Sequence, residues 1–146
     1  MGKSTPQKNL VIVGCGKAKV WDRADRLGKV RAKDAYVGSL FKSQRRFAEQ
    51  RAAKWLILSA KYGLLHPEQP IANYNVTFGS RGAISAERVQ KQWRQRLSDN
   101  PTIAVCLASK NYVRLLRDSI PKSVTLQTPL DGMGLFERMR WLKQHR

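Results

Sequence analysis

Asn9-Leu10-Val11-Ile12-Val13-Gly14 is a short run of unbroken apolar character that stops on a glycine. A strand with one wet face alternates apolar and polar residues, whereas a strand covered on both faces reads as continuous apolarity. NLVIVG is of the second kind, and three more runs share its character. They are Trp55 to Ser59 (WLILS), Thr102 to Ala108 (TIAVCLA) and the weaker Ser123 to Leu126 (SVTL).

Helical periodicity fills the intervals. Gly38 to Ala53 gathers Leu40, Phe41, Phe47 and Ala48 on one side, with Lys42, Arg45, Arg46 and Arg51 largely elsewhere. Ser85 to Ser98 places Val89, Trp93 and Leu97 at i, i+4 and i+8 behind a candidate N-cap, Ser85. Ser109 to Ile120 carries Tyr112, Leu115, Leu116 and Ile120 and is closed by Pro121; Gly134 to Gln144 carries Leu135, Met139 and Leu142. Strands alternating with helices imply crossover connections and a parallel sheet. The expected fold is therefore α/β: three layers, an about four-stranded, mostly parallel sheet flanked by helices, in a single compact domain over residues 1–146. No internal repeat or low-complexity stretch interrupts it.

Two connections are long, Cys15 to about Val37 and Ala60 to about Ile84. Loops of more than ~12 residues in a compact domain are usually functional or disordered. Ligands of parallel sheets bind beyond the carboxyl ends of the strands. Both long connections leave such ends, as do Ser109-Lys110 and Thr128 to Gly134, so all four are expected on one rim.

Charge narrows the partner. The chain has 146 residues, with 28 Lys and Arg against 10 Asp and Glu, a formal net charge of +18 and a pI near 10.7. Solubility alone asks for mixed signs; an excess of this size points to a polyanion, held through phosphate contacts and counterion release. DNA is the first choice and RNA the second. A membrane surface would call for a basic amphipathic anchor with a broad apolar face, which is absent. No apolar run approaches the ~20 residues that span a bilayer, and the polar start, Met1 to Lys8, has no signal-peptide core, so the expected location is cytoplasmic. Cys106 lies inside a strand-like run, as a buried thiol does. Two cysteines without a neighbouring His make no zinc site, and no metal or cofactor is implied.

Four motifs fall on the expected rim. Gly14-Cys15-Gly16-Lys17-Ala18-Lys19 can form a tight turn whose amides face an anion, with two lysines beside it. It has neither the Walker spacing nor the third glycine of a dinucleotide fingerprint, and its bland reading is a strand-to-loop turn with surface lysines. Cys15 among lysines is a candidate nucleophile without a local His partner. Asp34, in Lys33 to Phe41, is one of few carboxylates near the rim, or else a helix cap. Leu58 to Pro67 and Ile71 to Asn75 collect Ser59, Lys61, Tyr62, His66, Tyr74 and Asn75, a set rich in stacking and hydrogen-bonding groups. Its plainer reading has Tyr62 and Tyr74 as structural residues and His66 facing solvent. Thr128 to Gly134 combines Asp131 and Met133 with two glycines at a helix start, where amides bind anions.

Ser59-Ala60-Lys61-Tyr62-Gly63-Leu64-Leu65 through Pro67, followed by Ile71 to Tyr74, resembles the S-x-x-Y-G-L-L-x-P … I-x-x-Y pattern of the YaaA peroxide-stress family. A smaller bacterial and phage domain group is similar over most of the chain. It shares C-G-K-x-K (Cys15 to Lys19), D-x-Y-x-G-x-L-F (Asp34 to Phe41), the S-A-K-Y-G-L-L turn, P-L-x-G-x-G (Pro129 to Gly134) and a final helix with Trp141-Leu142. The Y-G-L-L turn is the specific part. The resemblance implies DNA binding and protection of DNA from oxidative damage. The helix-hairpin-helix-like element of larger members is missing, which leaves DNA binding to the basic surface. More distantly the group looks like the uracil-DNA glycosylase superfamily, with related domains in tRNA deazaguanine-modifying enzymes. Where glycosylases carry a water-activating motif after the first strand, this chain has Gly14-Cys15-Gly16-Lys17.

The expected activity is cleavage of the N-glycosidic bond of a damaged or modified base in DNA, in repair or phage defence. Such chemistry needs an extruded base held by aromatics, a group that orients water, and cations for the departing base. Tyr36, Tyr62, Tyr74 and Tyr112 are the stacking candidates. Asp34, Asp131 and Asn75, with Asn73 behind them, are the candidates to orient water. Cys15, Gly16, Lys17, Lys19, Ser59, Lys61, Lys110 and Met133 complete the candidate site, and Lys61 can alternatively attack the sugar as an amine. The alternatives are a non-catalytic DNA or RNA module using Arg45, Arg46, Arg88, Lys91 and Arg94, and a nucleotide-processing transferase at the same rim.

Overall fold

The computed structural model describes residues 9–52, 54–97 and 101–146. The polar start and the ends of two expected helices, Ala53 and Ser98, lie outside them. Four runs pair in parallel as the continuous apolarity demands: β1 (Asn9–Gly14), β3 (Lys54–Ser59), β6 (Ile103–Cys106) and β7 (Thr125–Gln127). The sheet has a fifth strand, β4 (Gly63–Leu65), antiparallel to β3 at the edge, giving the order β4-β3-β1-β6-β7. The sheet is therefore mixed, one strand wider than the sequence pattern suggested. β4 lies in the stretch read as a turn, and three residues are too few to show a period. Gly63 makes the hairpin possible, with φ 75° in the region that disfavours side chains. Ser59 Oγ accepts the N–H groups of Lys61 and Tyr62, both at 3.1 Å, and so stitches the turn.

The helices take both faces. α2 (Ser39–Arg51) and α5 (Leu135–His145) cover one side, where Phe41, Phe47 and Leu142 pack with Val11, Val13 and Ile57. α3 (Ala86–Arg96) and α4 (Lys110–Ser119) cover the other, where Val89, Trp93 and Leu116 pack with Leu10, Ile12, Leu56 and Ala104. Successive β1 residues thus feed opposite cores, the reason no polar residue interrupts the run. Ser85 caps α3 as expected, its side chain accepting the Arg88 N–H at 3.3 Å.

The long connections are built rather than loose. The first contains two short 3-10 turns, β2 (Val30–Arg31) and a single-turn α1 (Ala32–Ala35); β2 pairs antiparallel with β5 (Pro70–Ile71) of the second. Arg31 and Lys33 both ion-pair with Glu68, tying the two connections together. The fourth strand begins at Thr125, later than the Ser123 start read from SVTL, because the Pro121–Val124 turn, closed by Val124 N–H to Pro121 O at 3.1 Å, occupies the first two positions. Among the described residues no helix is long and apolar enough to cross a membrane.

Candidate functional site

The strand order places a crevice. From β1 the chain crosses to β3 on one side, then returns to β6 on the other, so connections leaving β1 and β6 depart to opposite faces. Such a switch point leaves a gap beyond the strand ends. Gly14 closes β1 there because a Cβ at this position would lie 2.7 Å from Ala108 Cβ and 3.5 Å from the Tyr112 ring. Only a glycine lets the end of β6 and the start of α4 come so near.

A cleft of about 810 Å³ opens above this point. Its walls are the loop Cys15 to Lys19 with Asp22, the segment Asn73 to Phe78, Ala60 from the hairpin, and Asn111 and Tyr112 from α4. Tyr112 spans the gap. Its hydroxyl donates to the Cys15 carbonyl at 3.0 Å, leaving the oxygen to accept from the Cys15 thiol 3.1 Å away. Phe78 meets the Tyr112 ring edge-on, centroids 4.7 Å apart.

Beneath Tyr74 runs a buried hydroxyl chain. Ser59 Oγ, its acceptor capacity taken by two amides, donates to the Tyr74 oxygen at 3.1 Å, and the Tyr36 oxygen lies 2.6 Å from that of Tyr74. Burial pushes the Tyr36, Tyr74 and Tyr112 phenols well above their ordinary range; Tyr74 adds to the effect on Tyr36, and Cys15 to that on all three. All three stay neutral hydrogen-bonding groups at physiological pH. Lys19 Nζ sits 4.6 Å from the Tyr74 ring centroid, a cation–π arrangement.

The structure brings Cys15, Gly16, Lys17, Lys19, Tyr74, Asn75 and Tyr112 together on the cleft wall, with Asn73 beside them. Tyr36 and Ser59 lie underneath, buried at 2% and 0% exposure. Tyr62 stands behind Tyr74, ring edge to face at 5.2 Å, and donates to the Ala72 carbonyl at 3.0 Å. Lys61 is exposed on the hairpin, 5.2 Å from the Tyr62 centroid, outside the cleft lining. Met133 packs half-buried against the core on the α2 and α5 side. Asp34 faces Arg45 at 3.3 Å on α1, away from the cleft lining, and does not cap α2, whose N-cap is Gly38. Asp131 and Lys110 share a shallow outer groove of about 220 Å³ with Val113, Arg114 and Arg117.

The cleft carboxylate is one that sequence reasoning passed over. Asp22 lies on the wall, and its Oδ2 accepts the Lys19 N–H at 2.9 Å. Its spacing was the available signal: it is the first acidic residue after β1, three positions beyond the second lysine. Phe78 and Asn111 were also missed, since nothing local marks a single aromatic in a long connection or an amide one residue inside a helix. Among the described residues no group of three His, Cys, Asp or Glu is placed to hold a metal ion.

A mixed, mostly parallel sheet covered by helices on both faces, with an aromatic, amide-rich and cationic cleft at its switch point, defines the class: a compact α/β domain with a cleft beyond its strand ends. The chain belongs to the Family of unknown function (DUF6884), whose model matches residues 10–144. It is similar to the Uncharacterized protein YfjM of Bacillus subtilis (strain 168), 34% identical over 128 residues, 86% of this chain and 85% of that protein.

Proposed function

We propose that this protein is a DNA-binding enzyme that receives one nucleobase, turned out of its strand, in the switch-point cleft and cleaves its N-glycosidic bond. The observation that carries this reading is the composition of the cleft wall. The rings of Tyr74, Tyr112 and Phe78 stand beside the amides of Asn73, Asn75 and Asn111, with Lys17 and Lys19 at the mouth. Rings hold a flat base, amides supply both donors and acceptors to its edge, and cations draw the strand that carries it. A net charge of +18 supports a polymeric anion over a free nucleotide. The sequence resemblance of Ser59 to Pro67 to the YaaA turn, and the more distant one of the chain to the uracil-DNA glycosylase superfamily, support the reading by analogy. The free thiols Cys15 and Cys106 suit the cytoplasm.

The step requires water to add to the sugar C1′ while the carbon–nitrogen bond breaks and its electron pair leaves with the base. Asp22 and Asn75 are the wall groups able to orient that water, and Asp22 can accept its proton. Lys17 or Lys19 offsets charge on the departing base.

Purified protein is incubated with single- and double-stranded DNA carrying normal, damaged and hypermodified bases, and freed base is read by mass spectrometry. The expected result is release from one substrate class, reduced at least ~100-fold by Asp22→Asn or Asn75→Ala, in line with loss of acid–base assistance. Asp34→Ala, Asp131→Ala and Lys61→Ala, at the positions the sequence favoured, are the comparison. Salt-sensitive DNA binding with no base released from any substrate overturns the enzymatic reading in favour of a binding module, with exposed Arg88, Lys91 and Arg94 on α3 as its phosphate contacts.

A further inference from the structure

The loop after β1 leaves a run of donors open. The N–H groups of Gly16, Lys17 and Ala18 meet no acceptor among the described residues, while the amides on either side are engaged. Cys15 donates to the Leu58 carbonyl at 3.1 Å, and Lys19 donates to Asp22 at 2.9 Å. The three open amides belong to residues on the cleft wall.

Across the cleft stands the start of α4, a helix of 10 residues. The N–H groups of Lys110 and Asn111 also meet no acceptor among the described residues, and the N-cap Ser109 makes no side-chain bond to this turn. Asn111 lines the same cleft. The open amides of Gly16 to Ala18 and that of Asn111 thus belong to residues bordering one space, the last with the positive end of a helix dipole behind it. Two ammonium groups join them: Lys17 is exposed at the mouth, and Lys19 is half-buried, donating to the Lys17 carbonyl at 3.3 Å. The carboxylate on this wall, Asp22, has one oxygen already committed to the Lys19 amide.

We infer that Gly16 to Ala18, with Lys17, Lys19 and the start of α4, form a phosphate subsite, so that the cleft takes a nucleotide rather than a free base or nucleoside. The phosphate is that of a strand or of a free nucleotide; donors and charge suit either. Its second half rests on the proposed function, since it assumes a base in the cleft, whereas the phosphate site stands without it. For a glycosidic enzyme such a site fixes the sugar against the water-orienting groups and places remote binding energy at the reacting carbon.

The full chain, labelled with 15N, is titrated with inorganic phosphate, then with nucleosides, their 5′-monophosphates and a short single-stranded oligonucleotide. Phosphate is expected to move the amide signals of Gly16, Lys17, Ala18 and Asn111 first. A monophosphate is expected to bind on the order of tenfold or more tighter than its nucleoside, an advantage lost in Lys17→Ala/Lys19→Ala and kept in Lys143→Ala, a cation on the far helix. An oligonucleotide that shifts the same amides at lower concentration than the monophosphate assigns the phosphate to a strand; the reverse assigns it to a free nucleotide. Shifts scattered over the cationic surface, with Lys143→Ala costing as much as the double variant, overturn the subsite. So does equal affinity for nucleoside and monophosphate. Phosphate shifts at Gly16 to Ala18 without base release from any DNA would leave the subsite standing and remove the glycosidic reading. Base release from DNA without phosphate shifts at Gly16 to Ala18 would do the opposite.

Discussion

The phenol oxygens of Tyr36 and Tyr74 lie 2.6 Å apart under the cleft, and the same Tyr74 oxygen receives the Ser59 hydroxyl at 3.1 Å. Tyr74 is thus the joint between three segments far apart in the chain: the end of β3, the segment before α2, and the cleft wall. Its ring faces the ligand space while its hydroxyl holds the floor.

Tyr74→Phe strips the partner from two buried hydroxyls at once and should lower stability by about 1–3 kcal/mol. Tyr36→Phe leaves Tyr74 bonded to Ser59 and should cost less, about 1 kcal/mol. Urea unfolding midpoints of the two variants check the order; equal losses would mean that Tyr74 is not the shared joint.

Two glycines carry different burdens. At Gly63 an added Cβ falls on the Gln92 side-chain oxygen and Ile84 Cδ1, and φ is 75°. That same Gln92 oxygen accepts the Leu64 N–H at 2.8 Å, while its nitrogen donates to the Tyr62 carbonyl at 2.8 Å, binding edge strand β4 to α3. Gly63→Ala should therefore destabilise by about 2–4 kcal/mol, combining steric overlap with left-handed backbone. Gly14→Ala should cost about 1–3 kcal/mol and, by pushing Ala108 and Tyr112 outward, weaken nucleotide binding as well. Thermal unfolding beside binding separates the two: Gly63→Ala should act on stability first, Gly14→Ala on both.

Alkali should unfold the protein through its phenols. Tyr36, Tyr74 and Tyr112 have folded-state values raised above the unfolded value of about 10, chiefly by burial. The folded state therefore holds protons that the unfolded state releases, so the contribution of these groups is whole below pH ~10 and is lost as pH rises beyond it. Phenolate absorbance from these three should appear together with the loss of circular dichroism. Their titration in a protein that stays folded would contradict the buried network.

The two thiols should separate under an alkylating reagent. Cys15 is half-buried on the cleft wall, whereas Cys106 is 1% exposed and burial pushes its thiol up to about 11. Mass spectrometry at neutral pH should find label on Cys15 first and on Cys106 only after denaturation. Bound nucleotide should slow the first reaction by covering the thiol.

Much of the architecture was legible along the chain. Asn9 to Gly14, Trp55 to Ser59 and the core of Thr102 to Ala108 needed only their unbroken apolarity, because a residue buried on either face of a parallel sheet has one acceptable chemistry. Ser85 marked its helix because capping is local. The glycine and lysines of Cys15 to Lys19 announced a rim loop for the same reason: a strand end and a turn are neighbours in sequence. The net charge of +18 was legible as well, since it does not depend on folding.

What lay beyond the sequence is where separate segments meet. β4 is a strand only because β3 lies alongside; three residues carry no period of their own. Asp34 looked like a rim carboxylate and lies against Arg45, while Asp22, marked only by its spacing from Lys19, lines the cleft beside Asn75 and Tyr112. Tyr36 and Tyr74 look alike in sequence, yet one is sealed beneath the floor and the other presents its ring to the cleft. The physical reason is common to all of these. Strand and helix preferences are properties of short windows, whereas a site is made by side chains of residues dozens of positions apart, whose placement depends on sheet order, crossover side and the close approach that Gly14 permits.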